Sequence, residues 1–191
     1  MRTFQWFLAL VILAGCAEHG IGVNHPPATI DYPVSVTADP SGRYVWVTSG
    51  NFDLAFTGAA VLAIDVVDHQ FVTDINGNHA GFEIGNFPGP MHILQSPGQP
   101  TRGYIASRAD DSVYTLELTN ADGDLAVGCK GGTVSEDGLL TCGEEAAVAE
   151  GPYRDNLGEP VDGSIGNDPF GVFVRKARDG QDQDLLFVSS M

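Results

Sequence analysis

Apolar residues are distributed along this chain in two regimes. Residues 4–13 (FQWFLALVIL) form a nearly unbroken apolar run. After residue 30, short apolar stretches alternate with clusters of Gly, Pro, Asn and Asp. The first run is too short to cross a bilayer as a helix, which takes roughly 20 apolar residues. Its length, with Arg2 in front of it, fits the core of a secretion signal. The later pattern predicts many short strands joined by turns, and long Ala/Leu/Glu/Lys runs of the helical kind are missing there.

The strand-like stretches repeat. Residues 33–38 lead through a turn at Gly42 into the apolar stretch 43–49, residues 90–98 lead into 103–107, and residues 169–174 lead through Gly180 into 184–190. Each second stretch is apolar and aromatic and ends in small hydroxyl residues. A third strand follows in the first two units, at 60–65 and 112–118. Unit starts at 33, 90 and 169 are 57 and 79 residues apart, against roughly 40–45 residues for a propeller blade. The excess falls in a Gly/Asn-rich stretch at 76–89 and in an insertion at about 120–166 that holds Cys129 and Cys142. The expected fold is therefore all-β, an incomplete β-propeller of about two to three antiparallel blades over residues 32–191. A self-contained β-sandwich is the alternative.

The run Asp39-Pro40-Ser41-Gly42-Arg43-Tyr44-Val45-Trp46-Val47-Thr48 resembles the YVTN-type repeats of the seven-bladed, WD40-like propellers. Gly103-Tyr104-Ile105-Ala106-Ser107 is a more distant match. Ser49-Gly50-Asn51 and Ile64-Asp65 continue the pattern in the first unit; Arg108-Ala109-Asp110-Asp111 and Leu116-Glu117-Leu118 depart from it in the second. The resemblance implies blades stacked in a ring. Three starts do not close such a ring, so the expectation is an N-terminal part of a larger propeller.

Leu13-Ala14-Gly15-Cys16 resembles the bacterial lipobox. That resemblance implies a signal peptide over residues 1–15, lipidation of Cys16, and anchoring to a membrane through acyl chains at about 0.8 kcal/mol per buried CH₂. It places the protein in the bacterial cell envelope, and Ala17 after the cysteine favours the outer membrane. Residues 16–31, with Gly20, Gly22, Pro26 and Pro27, read as a lipidated cysteine followed by a flexible tether, with His19 and His25 solvated in it. Cys129 and Cys142 are the thiols left in an exported chain. A disulfide between them would contribute roughly 3 kcal/mol; a metal pair is the other reading.

Charge narrows the partners. With 9 Lys+Arg against 25 Asp+Glu, the net charge is −16, which repels phosphate backbones and excludes nucleic acid. The partners left are the membrane, through the lipid, and a protein or polysaccharide of the envelope. Acidic turns at 74–78 (Asp74, Asn76, Asn78) and 120–124 (Asp122, Asp124) put side-chain oxygens at alternate positions, as calcium requires. None completes an EF-hand, and Asp-Gly and Asn-Gly are also common hairpin turns. His69, His79 and His92 stand alone, and no nucleophile elbow, phosphate loop, zinc helix, Cys-x-x-Cys or haem-attachment motif occurs. Two functions follow: an anchored propeller used as a binding or scaffold module, and the N-terminal part of a propeller enzyme such as a quinoprotein-like dehydrogenase or a lactonase. No catalytic residue is nominated.

Overall fold

The computed structural model describes residues 22–74, 77–96, 100–121, 124–148, 153–154, 160–161, 168–176 and 185–190. These residues are all-β, with several antiparallel sheets, none of them closed, and one turn of 3₁₀ helix at Glu144–Ala146. The signal segment and Cys16 lie outside the described residues.

The first sheet is an antiparallel meander of β1 (Pro33–Ala38), β2 (Tyr44–Ser49), β3 (Ala59–Asp65) and β5 (Gly81–Ile84), with the short β4 (Gln70–Phe71) beside β3. The second is a meander of β6 (His92–Leu94), β7 (Thr101–Ser107), β8 (Ser112–Ala121) and β9 (Asp124–Gly128). Two strands of the second sheet's insertion, β10 (Thr133–Val134) and β11 (Leu140–Thr141), return to the first sheet, where β11 runs parallel to β5. A small pair, β12 (Tyr153–Arg154) and β13 (Pro160–Val161), precedes the third sheet, β14 (Pro169–Arg175) with β15 (Leu185–Ser190).

The three sheets begin alike. Pro33 pairs with Ser49, Pro88 bridges Ser107, and Pro169 pairs with Ser190. In each the register then slips by one residue. Ser35 pairs with Thr48 and Gly171 with Ser189. An unbroken register from Pro88 would put His92 opposite Gly103, and it lies opposite Tyr104. The residue before each proline has a positive φ: Tyr32 at 50°, Phe87 at 55° and Asp168 at 63°. A non-glycine residue in that region costs about 1–3 kcal/mol, so three occurrences at one place identify a repeated unit. The second unit therefore starts at Pro88, not at Pro90 as the strand pattern indicated.

Two other boundaries move. Within the stretch expected to be a loop at 76–89, residues 81–84 are β5, the fourth strand of the first sheet. The insertion expected from residue 120 begins only after β9, because β8 and β9 continue the second sheet to Gly128. Gly81 and Gly85 around Phe-Glu-Ile, and Asp122-Gly123 after a polar strand end, give these strands the local signature of loops.

Stacking is face to face and keeps one direction. Aligned on Ser49, Ser107 and Ser190, Trp46, Tyr104 and Phe187 are equivalent, as are Val47, Ile105 and Val188. Trp46 and Ile105 belong to the cluster that joins the first sheet to the second, with Phe82, Leu116 and Leu118. Tyr104 and Ala106, on the opposite face of β7, join Val172, Val174 and Val188 of the third sheet. The second sheet is thus covered on both faces, which explains why residues 103–107 are all buried. A two-sheet sandwich has no such middle layer. Gly89 fits this contact: a Cβ there would lie 1.8 Å from the Phe170 carbonyl oxygen.

Candidate functional site

The prolines, the ends of β2, β5 and β7 and the starts of β3 and β8 all fall at one end of the stack, and several buried polar groups meet there. Ser107 Oγ donates to the Asn86 carbonyl at 3.0 Å. Its counterpart Ser49 donates to the carbonyl of Asp31, the residue equivalent to Asn86. Each serine therefore closes its own sheet onto the strained dipeptide before the proline. Asn51 is fully buried and joins neighbouring sheets: its Nδ2 donates to Phe56 O at 2.6 Å and to Asn86 Oδ1 at 2.8 Å, while its Oδ1 accepts from Phe56 N at 3.1 Å. The second and third sheets are tied by Arg108, paired with Asp168 through Nε and through Nη2 at 3.0 Å. The Arg108 hydrogen bond holds the Asp168 carboxyl below the usual carboxylate range.

Between the first and second sheets a cleft of about 400 Å³ opens, lined by Asn24, Thr57, Gly58, Glu83, Ile84, Gly85, Asp110, Thr141 and Cys142. It contains two carboxylates and no basic side chain. Glu83, 4% exposed, lies on β5. Its Oε1 accepts from the Thr57 hydroxyl, and its buried Oε2 has no hydrogen-bond partner among the described residues. Asp110 Oδ2 accepts from Tyr114 Oη at 2.7 Å and from Ser107 Oγ at 3.1 Å. Burial, reinforced by the Asp110 carboxylate, pushes the Tyr114 hydroxyl well above its ordinary value, so it stays a donor. Gly85 is required by this packing, since a Cβ there would lie 1.5 Å from Asp110 Oδ2. A buried carboxylate oxygen with no donor is costly unless something supplies one.

The N-terminal wall departs from the tether expected at 16–31. Thr57 N donates to Val23 O at 2.9 Å, His25 is fully buried against the Phe56 ring at 4.7 Å, and Ile30 packs on Leu62 and Leu139. From residue 22 the segment is thus docked on the first sheet, and His25 is not solvated. Its two prolines prevent regular structure without preventing packing.

Of the site residues nominated from sequence, Cys129 and Cys142 form a disulfide, with S–S 2.12 Å and Cα–Cα 6.0 Å. It joins the residue after β9, on the second sheet, to the residue after β11, on the first. The calcium candidates are not brought together. Asp74 and Asn78 close their own turn: Asn78 N donates to Asp74 Oδ1 at 2.9 Å and Asp74 N to Asn78 O at 2.7 Å. Asp124 sits in the β8–β9 hairpin of the other sheet, and Asn76 and Asp122 lie outside the described residues. Among the described residues no group of three or more His, Cys, Asp or Glu side chains could hold a metal.

Sequence reasoning missed Glu83, Asn24 and Thr57. The signal for Glu83 was present: one acid inside an apolar stretch bracketed by glycines, which is strand-like only once β3 is known to pair with it.

Fold and site together define an all-β protein of stacked, mainly antiparallel sheets with an acidic cleft at one end of the stack. No family model matches the chain, and no solved structure matches it. A curated relative is the hemagglutinin/proteinase of Vibrio cholerae serotype O1 (strain ATCC 39315 / El Tor Inaba N16961), 24% identical over 159 residues. That match covers 73% of this chain and 26% of the relative, so the chain spans about a quarter of that protein's length. A likeness of this size assigns neither a family nor an activity.

Proposed function

We propose that this chain is a lipid-anchored protein of the bacterial cell envelope whose stacked sheets are blades of a β-propeller, and that it works as a binding module through the Glu83–Asp110 cleft. The observation that carries the binding role is the buried Glu83 Oε2, without a partner among the described residues, in a cleft lined by a second carboxylate and, among those residues, by no basic side chain. The propeller reading is supported by the constant direction of the stack and by the repeated proline–serine closure of each sheet. The anchor reading is supported by Leu13-Ala14-Gly15-Cys16 after the apolar run. The ligand class is one that brings hydrogen-bond donors, above all a protonated amine, which would satisfy Glu83 and be held between two carboxylates.

Amide shifts in an NMR titration with methylammonium chloride test the cleft. Gly58, Gly85 and Asp110 should move in the wild type and stay still in Glu83→Gln, which keeps the acceptor for Thr57. No movement in the wild type, or equal movement in both, overturns the binding reading. The anchor is tested separately: the wild type should fractionate with the outer membrane and Cys16→Ser should not. A Cys16→Ser chain that stays membrane-bound overturns it.

A further inference from the structure

Three aromatic rings stand side by side at the proline end of the first two sheets. Tyr32 and Phe87 are the residues before the opening prolines, and Phe52 lies in the loop between β2 and β3. Phe52 meets Tyr32 edge to face, with ring centroids 6.1 Å apart, and is stacked on Phe87 at 5.7 Å. Tyr32 is 51% exposed, Phe52 is 50% exposed and Phe87 is half-buried. The row is held in place. A Cβ at Gly50 would lie 2.7 Å from Phe52 Cε2, so that glycine makes room for the ring. Tyr32 and Phe87 share the repeated pre-proline backbone, with φ of 50° and 55°. The rings sit on loops at the end of the stack rather than on a sheet face. The repeat does not require them: aligned on Ser49 and Ser107, the counterpart of Phe52 is Asp110, and Arg108 and Asp168 tie the second sheet to the third instead.

The π faces of exposed rings attract cations, and the surroundings of this row are acidic. Tyr32 Oη donates to Asp53 Oδ2 at 3.4 Å, and Asp53 is exposed and in no ion pair among the described residues. Among those residues no cation of the chain lies over the three rings. Arg43 covers Tyr44, and Arg108, whose amide donates to the Phe87 carbonyl at 3.3 Å, gives its guanidinium to Asp168. The chain as a whole carries a net charge of −16. The geometry points to a docking surface for an arginine-bearing segment of a protein partner. The guanidinium lies flat on Phe52, and its N–H edge turns to the Asp53 carboxylate. Arginine suits the surface better than lysine, because its planar fork both stacks on a ring and pairs with a carboxylate. Rings already fixed by Gly50 and by the pre-proline backbone lose little freedom on binding. None of these residues lines the Glu83 cleft, and the inference does not depend on that reading or on the lipid anchor.

The probes are the peptide acetyl-Gly-Arg-Gly-amide and its citrulline counterpart, which keeps the shape without the charge. In an NMR titration of the purified chain, the arginine peptide should move the amides of Tyr32, Phe52 and Asp53. Its arginine Hδ protons should shift upfield, as protons over a ring face do. The citrulline peptide should do neither. Phe52→Leu, which keeps apolar bulk, should abolish the upfield shift and weaken binding roughly fivefold, the size of one exposed cation–π contact. Glu83→Gln should respond at these amides as the wild type does, which separates this surface from the cleft. Equal responses to the two peptides, amide shifts without upfield movement of the arginine protons, or undiminished binding by Phe52→Leu overturns the inference. Maltohexaose is the counter-probe: movement of the Phe52 ring with this neutral oligosaccharide and not with the arginine peptide makes the row a sugar surface and overturns it too. The comparison of peptides on the wild type decides the matter even where Phe52→Leu fails to fold.

Discussion

Removing the Cys129–Cys142 bridge should loosen the joint between the first two sheets. The disulfide links residues 13 apart in sequence, and it joins the residue after β9 to the residue after β11. Constraining a loop of this length in the unfolded chain contributes about 3 kcal/mol. In a domain of this size each kcal/mol corresponds to about 2–4 °C, so the melting temperature should fall by about 6–12 °C. Cys142 is also buried among Leu140 and Ala146, so replacement by alanine, which introduces no polar group, isolates the cross-link best. The experiment compares Cys16→Ser with Cys16→Ser/Cys129→Ala/Cys142→Ala by thermal circular dichroism, Cys16 being replaced so that no third thiol confuses the assay. Dithiothreitol should lower the melting temperature of the first protein toward that of the second and leave the second unchanged. Two reactive thiols in the native Cys16→Ser protein, or equal melting temperatures, would refute the reasoning.

Trp46→Ala should cost about 3–5 kcal/mol in urea unfolding, because the ring is fully buried between the first and second sheets; a loss under 1 kcal/mol would contradict that packing. Gly85→Ala should displace the Asp110 carboxylate and, with it, the acceptor of the Tyr114 hydroxyl, read as a changed Tyr114 ring environment by NMR with the rest of the spectrum kept. The Arg43 hydrogen bond, at 2.8 Å, and the amide of Val67 hold the Asp65 carboxyl below its ordinary value. The unfolded chain therefore takes up this proton more readily than the folded one. The stability Asp65 contributes is present above the ordinary carboxylate range, near pH 4, and is lost as pH falls through the depressed folded value. Asp65→Asn should flatten that part of the urea-midpoint profile between pH 5 and 2; an unchanged profile counts against the pair.

Much of the architecture was legible because second strands buried on both faces become continuous apolar runs, as at 44–49 and 103–107. Their Gly-Arg-Tyr and Gly-Tyr contexts mark where they start. The all-β class followed from these runs, and the disulfide from the count of thiols in a chain read as exported. What was not legible depends on partners distant in sequence. Strand β5 is four residues that begin at Gly81 and stop before Gly85, and only pairing with β3 makes it a strand. The true start of the second sheet lay two residues from the expected one, because the identifying feature is a backbone conformation at Phe87 rather than a side-chain pattern. His25 and Asn24 sit in a Gly/Pro-rich segment that looks solvated until Phe56 and Thr57 offer it a surface. The cleft draws on five separate stretches of chain, from Asn24 to Cys142, and no local spacing brings Glu83 and Asp110 together.

Three sheets stack in one direction, and the second is covered on both faces. Methyl-to-aromatic nuclear Overhauser effects read that arrangement directly. Methyl groups of Val172, Val174 and Val188 should show cross-peaks to the Tyr104 ring, while Ile105, one residue on, should show them to residues of the first cluster such as Phe82 and Trp46. Cross-peaks from the third-sheet valines to Trp46 or Phe82, or none to Tyr104, would contradict the stack.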